Sequence, residues 1–134
     1  MGIQELGIEG EKKAREVVKK NNFNCFGTDW ILIDKLGNYY LLEVKCKEMF
    51  APPPFEGQGL NINQVVSKQI FFKKTGIRTI LLIMLPDNKR TYWQFLDKLE
   101  QGKHFDTKNK VRIYPISSFE WEETLKEVAN GTKN

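Results

Sequence analysis

Long apolar runs, cysteine and histidine are what this chain of 134 residues has least of. No apolar run approaches the ~20 residues that a membrane-spanning helix needs. The start, Met1-Gly2-Ile3-Gln4-Glu5, lacks the pattern of a signal peptide, so the expected location is the cytoplasm, without a membrane partner. The two cysteines, Cys25 and Cys46, are too few and too far apart for a zinc framework. Both are expected to pack as buried thiols. The single histidine, His104, stands in a polar loop with no nucleophile or acid in view, and no role is assigned to it. Acidic residues are sparse outside the C-terminal segment, where Glu120, Glu122, Glu123 and Glu127 cluster. Residues 1–116 hold 19 basic against 13 acidic residues, a net +6 where the whole chain has +4. Such an excess suits a polyanionic partner, nucleic acid above all.

What is present is an ordinary globular composition, 40% apolar and 28% charged. There is no repeat and no linker, which predicts one domain over 1–134 with a loose tail at 132–134. From Ile3 to about Lys20 the spacing predicts a helix on which Gly7, Glu11, Ala14 and Val18 share one side. Phe23 to Phe26 reads as a short edge strand. Residues 49–61 hold three consecutive prolines and two glycines and are expected to form one long irregular loop able to touch a substrate. A helix follows from Ile62 to about Lys74, capped by Asn61 or Asn63 and closed by Gly76. Arg78 to Leu85 is the most apolar run and is expected as a central strand covered on both faces. Thr91–Phe95 reads as a strand, Phe95–Gln101 as a helical turn, and Val111–Ile116 as an edge strand. Ser118–Ala129 reads as a final helix, and the tryptophans are expected mostly in the core.

The informative stretch is Thr28–Lys47. Two runs of strand length, separated by Lys35-Leu36-Gly37-Asn38, predict a β-hairpin. Asp29 opens the first run, and Glu43 and Lys45 interrupt the second, where charge is costly unless paired or bound. Alternation puts Glu43 and Lys45 on one face of their strand. A loop with an odd number of residues, such as Leu36-Gly37-Asn38, puts Asp29 on that face too, with Ile31 opposite Glu43; an even loop reverses it. Two carboxylates about 5 Å apart repel by roughly 3 kcal/mol at an effective dielectric of ~20. A hard divalent cation bound through oxygen relieves that repulsion, and a neighbouring lysine can orient or deprotonate a metal-activated water. Asp34, directly before the turn, reads as a turn residue and not as a ligand.

Asp29 followed by Glu43-Val44-Lys45 on a hairpin, after a helix carrying Glu11, resembles the PD-(D/E)XK nuclease superfamily. Thr28 stands where that family has proline. The resemblance covers residues 5–85 and implies an α/β fold with a restriction-endonuclease-like core, a mixed central sheet flanked by helices. It implies catalytic roles for Glu11, Asp29, Glu43 and Lys45, and a Mg²⁺ or Mn²⁺ ion held by Asp29, Glu43 and the Val44 carbonyl. Gln64 and Lys68, four apart on the following helix, match its substrate-orienting pair; Lys47, by its charge alone, is expected as a further phosphate contact. Within the superfamily, the length and Gly7-x-x-Gly10-Glu11 are similar to the small Holliday junction resolvases. These imply a homodimeric DNA endonuclease acting on branched DNA. A restriction- or repair-type nuclease, or a non-catalytic nucleic-acid-binding module on the same fold, are the alternatives.

Overall fold

The computed structural model describes residues 3–21, 24–26, 31–85 and 90–131, with side chains from Lys12 onward apart from residues 24–26. Helix α1 (Ile3–Lys20) buries Ala14 and Val18, one turn apart, with Val17 packed beside them. Asn21 ends it by folding its side-chain amide back onto the Val17 carbonyl at 2.9 Å, which also accepts from the Asn21 backbone N–H at 3.1 Å. Three strands follow, β1 (Asn24–Phe26), β2 (Ile31–Ile33) and β3 (Tyr39–Lys45), then β4 (Gly57–Asn61) and helix α2 (Ile62–Thr75). After these come β5 (Arg78–Met84), β6 (Thr91–Phe95), α3 (Leu96–Gln101), β7 (Phe105–Asp106), β8 (Val111–Pro115), β9 (Glu120–Trp121) and α4 (Leu125–Ala129).

The main sheet has the order β1-β2-β3-β5-β6-β9 and is mixed. The first three strands form an antiparallel meander, β3 and β5 run parallel, and β6 and β9 return antiparallel. A parallel pair needs a long connection between its strands, here β4 and α2. Asn61 caps α2 by accepting from the Asn63 N–H at 2.9 Å. Gly76 closes it in the left-handed region at φ 76°, its N–H bonded to the Phe72 carbonyl at 2.7 Å.

Alternation divides the core. On one face Leu32, Leu42, Ile80, Leu82, Trp93 and Phe95 pack with Ala14 and Val18 of α1 and Leu125, Val128 and Ala129 of α4. On the other, Leu81, Ile83 and Tyr92 pack with Val65 of α2, Leu96 and Leu99 of α3, Leu60 of β4 and Tyr114 of β8. β5 is covered on both sides, which is why its run is apolar without alternation.

Four expectations need correction. Residues 57–61 are not loop: they form β4, buried in a second sheet of order β4-β8-β7. The glycines that read as loop composition are there for a close approach. A Cβ on Gly57 would meet the Tyr114 carbonyl, and one on Gly59 the Arg112 carbonyl. Only 49–56 is irregular, and the Phe50–Gly57 backbone bridge closes it at its base. Residues 111–115 are the centre of this second sheet, not an edge, because β4 and the two-residue β7 flank them.

The final helix is short. Pairing of Glu120 and Trp121 with β6 overrides the helical composition of 118–124, covering what would otherwise be an open sheet edge. The Trp93 indole N–H is shared by the Trp121 carbonyl and the Thr124 hydroxyl, and the Trp121 side chain is left 58% exposed. Cys46, just past β3, is half-buried and free, not fully packed. The expectations for Cys25, Trp30 and the 132–134 tail fall outside the described side chains and residues.

Candidate active site

The hairpin that carries the candidate site is set by its turn. Ile33 pairs with Tyr39, Leu32 with Tyr40 and Ile31 with Leu41, leaving 34–38 as the loop. The odd parity is as expected, but the pairing is shifted: Ile31 stands opposite Leu41, not Glu43. Asp34 causes this longer loop. It is buried, and its carboxylate accepts from the Leu36 and Asn38 N–H groups, the Asn38 amide and the Tyr40 hydroxyl, at 2.9–3.1 Å. Burial works to raise its pKa, but the donors from Asn38, Tyr40 and Leu36 outweigh it and hold the carboxyl below its ordinary value. Burial together with the Asp34 carboxylate pushes Tyr40 up to about 12. The sequence marks this turn only by an aspartate followed by Asn38 and Tyr40.

β3 leaves the turn and pairs with β5 through Glu43–Leu81 and Lys45–Ile83. Leu81 and Ile83 face α2, so Glu43 and Lys45, beside them on the neighbouring strand, face the same side. The two charged side chains are half-buried. Val44 points the other way and packs against the α1 face of the core.

Helix α2 delivers the partner. Its Lys68 ammonium is 3.4 Å from the Glu43 carboxylate, and each side chain is 21% exposed. Gln64, one turn earlier, is exposed, and Lys47 is exposed beyond the end of β3. The structure therefore gathers Glu43, Lys45 and Lys68 on one side of the sheet, with Gln64 on the same helix as Lys68. The Glu43–Lys68 ion pair is a contact that sequence reasoning did not find, since i, i+4 spacing relates Lys68 to Gln64 and says nothing of the strand below.

Asp29 lies outside the described residues, and so does the side chain of Glu11. Glu11 itself is in α1, whose Ala14 and Val18 pack on the opposite face of the sheet from Glu43. Among the described residues no group of three histidine, cysteine, aspartate or glutamate side chains stands together. A carboxylate with ammonium groups fits a hard divalent cation and an anionic substrate, and does not fit a soft metal. The described part supplies one such carboxylate, and the other two expected acids, Asp29 and Glu11, lie outside the described side chains. Two cavities of about 330 and 380 Å³ occur elsewhere. One lies between α1 and the ends of β3 and β5, the other beside Tyr39 and Gly76, and neither is lined by Glu43, Lys45 or Lys68.

Mixed sheet, flanking helices and a parallel pair bridged by α2 make up the resolvase-like nuclease fold, an α/β architecture. The chain is similar in structure to Hjc of Archaeoglobus fulgidus, a Holliday junction resolvase from an archaeal hyperthermophile. The TM-score is 0.57 and the identity 15%, over 92% of this chain and 99% of that one. At that identity the likeness concerns the fold. No protein-family model matches the chain, and no curated protein sequence matches it.

Proposed function

We propose that this protein is a divalent-metal-dependent DNA endonuclease that hydrolyses phosphodiester bonds, and that its substrate is a branched duplex of the Holliday junction type. The observation that carries the reading is the joint placement of Glu43, Lys45 and Lys68 over one face of the β3–β5 pair, within a fold shared with a resolvase. Asp29, Glu43 and the Val44 carbonyl would hold Mg²⁺ or Mn²⁺. A cation bound there supplies charge neutralisation of the phosphate and a lowered pKa for water.

The remaining chemistry belongs to the chain. Lys45 orients the attacking water and steadies charge that develops on the phosphate. Lys68, held near Glu43 in the free protein, is placed to turn its ammonium to the substrate phosphate, and Gln64 and Lys47 add donors to the strand on either side. Glu11, on α1 against the opposite face of the sheet, would complete the outer shell. Val66 and Ile70, one turn apart on α2 and each about half exposed, offer apolar surface to a second copy of the chain, which supports a homodimer. Symmetric cutting of a four-way junction needs two such sites.

The test is cleavage of a synthetic four-way junction in magnesium by the protein and its Lys45→Ala variant, run beside flap, linear duplex and RNA substrates. Junction cleavage lost in the variant is expected. Preference for a flap or a linear duplex would move the reading to another nuclease of this fold, and equal cutting by both proteins would sink the site. Sedimentation velocity reads the dimer, and a monomer mass at micromolar concentration would overturn that part.

A further inference from the structure

The β7–β8 hairpin is the part of the chain that the candidate site does not use. Its loop is Lys108-Asn109-Lys110, closed by Thr107 N–H to the Val111 carbonyl at 2.9 Å and Lys110 N–H to the Thr107 carbonyl at 3.0 Å. Lys110 sits in the left-handed region at φ 61°, as the last residue of a three-residue hairpin loop does. The root is stiff. Arg112 donates to Asp106 at 2.9 and 3.2 Å and to Glu100 at 2.7 Å, and the buried Tyr114 hydroxyl donates to Glu100 at 2.8 Å.

These bonds occupy Asp106 of the hairpin and Glu100 of α3. Lys103 at the root and Lys108 and Lys110 at the tip are all exposed, and none has a carboxylate partner among the described residues. The hairpin is also fixed to the start of α2, the helix that bears Gln64 and Lys68, because the Lys110 carbonyl accepts from the Ile62 N–H at 2.9 Å.

We propose that this hairpin is a second nucleic-acid contact, a stiff arm whose Lys103, Lys108 and Lys110 hold the phosphate backbone of the duplex beside the scissile phosphate. The proposal rests on the nuclease reading and adds a substrate surface to it. Three flexible ammonium groups hold phosphates and carry little base information, and the exposed Asn109 lies between two of them. The lysines of the arm therefore set affinity and placement of the duplex. An acidic protein is the competing occupant, and the bond to the start of α2, the helix that carries Gln64 and Lys68, favours DNA.

The test is the salt dependence of DNA binding, by fluorescence anisotropy on a four-way junction in EDTA, where cleavage does not interfere. The triple variant Lys103→Ala/Lys108→Ala/Lys110→Asn keeps a residue that tolerates positive φ at position 110. Each lost phosphate contact lowers the slope of log K against log salt by about 0.9, so the triple variant should lose about 2–3 from it. Lys108→Gln alone, at an exposed loop position where folding is not at stake, should lose about 1. Lys12→Ala/Lys19→Ala/Lys126→Ala, on the helices of the opposite face, should keep the wild-type slope.

An unchanged slope in both hairpin variants overturns the arm while leaving the nuclease reading intact if the wild type cuts. A wild type that binds junctions without cutting them, with slope lost in the hairpin variants, overturns the nuclease reading and keeps the arm. A wild type that binds no DNA overturns both.

Discussion

The Lys68 ammonium of α2 stands 3.4 Å from the Glu43 carboxylate of β3, and both side chains are four-fifths withdrawn from solvent. A lysine so placed neutralises the carboxylate, and on the proposed nuclease reading it would become available to the substrate phosphate if that carboxylate held a cation. Lys68→Ala should therefore change stability little, since partly exposed ion pairs are worth about 0–1 kcal/mol. Single-turnover cleavage should fall about 10²-fold, the scale of losing one charge-stabilising donor. A denaturation midpoint and a single-turnover time course separate the two, and a rate within twofold of wild type would remove Lys68 from the site.

Lys45 and Asp29 are tested by loss of chemistry with retention of binding. Lys45→Ala and Asp29→Asn should each lower cleavage by about 10³-fold or more, given how much transition-state charge such groups stabilise. Junction affinity should stay within a few-fold. Calorimetric titration with magnesium should show weakened binding for Asp29→Asn and near-normal binding for Lys45→Ala. The same loss of metal affinity in both variants would contradict the division of roles between ligand and water-orienting group.

Asp34 predicts a pH dependence of folding. Its carboxyl is held below the ordinary value of 3.8 by hydrogen bonds that outweigh the opposing effect of burial. A depressed pKa means that the native state favours the ionised form. The stabilisation is thus fully present above pH 3.8 and is lost as pH falls through the lower folded value. Asp34→Ala should cost on the order of 3 kcal/mol at neutral pH, because hydrogen bonds to a buried charged group are removed together and their donors are left unpaired. In urea titrations at descending pH the gap between wild type and variant should be flat near neutrality and narrow below pH 3.8. Tyr40 has the opposite sign. Its folded pKa of about 12 stands above its ordinary 10.0, so its contribution is complete below pH 10.0 and fades as pH rises towards 12. A gap that stays constant into acid would show that Asp34 titrates alike in the folded and unfolded states, and a gap that widens in acid would show that it is neutral in the native state.

How much of this could be read beforehand differs by element. Helices α1 and α2 and strand β5 carry their own signals, in the burial of Ala14 and Val18, the Asn61 and Gly76 caps, and an unbroken apolar run. The shared face of Glu43 and Lys45 follows from strand alternation alone. Register was harder, because the loop length depends on how many bonds one side chain makes, and Asp34 makes four. Strands β4 and β9 were hidden for a different reason. Gly57 and Gly59 have turn composition but serve the close approach of β8, and 120–121 has helical composition but fills the edge beside β6. Neither partner is near in sequence, so no local pattern could announce the pairing.

Gly59 gives that close approach a measurable cost. Its position opposite Ile113 leaves no room for a methyl group against the Arg112 carbonyl, which is backbone held in a sheet and cannot swing aside. Gly59→Ala should destabilise by about 2 kcal/mol or more, in the range of overpacked sites. The damage should reach α2, which begins directly after β4, so amide exchange in its first turn should rise with that of the strand. Unchanged stability would mean that β4 is not seated on β8 in solution.

Thr79 offers a change in the other direction. It lies in β5 opposite Leu41, 3% exposed, and its hydroxyl has no hydrogen-bond partner among the described residues. A buried hydroxyl without a partner costs roughly 1–3 kcal/mol on the scale of protein mutational data. Valine has nearly the same shape and no polar atom, so Thr79→Val should raise stability by about 1 kcal/mol. Thr79 faces the side of the sheet that carries Leu81, two residues on, and Leu81 is the neighbour of Glu43 in the register. The substitution therefore tests whether that hydroxyl takes part in the site. A rise in the urea midpoint with unchanged junction cleavage would mark it as an unsatisfied group under α2. A fall in the midpoint would show that the hydroxyl is bonded in solution. A loss of cleavage at unchanged or higher stability would bring Thr79 into the positioning of Glu43.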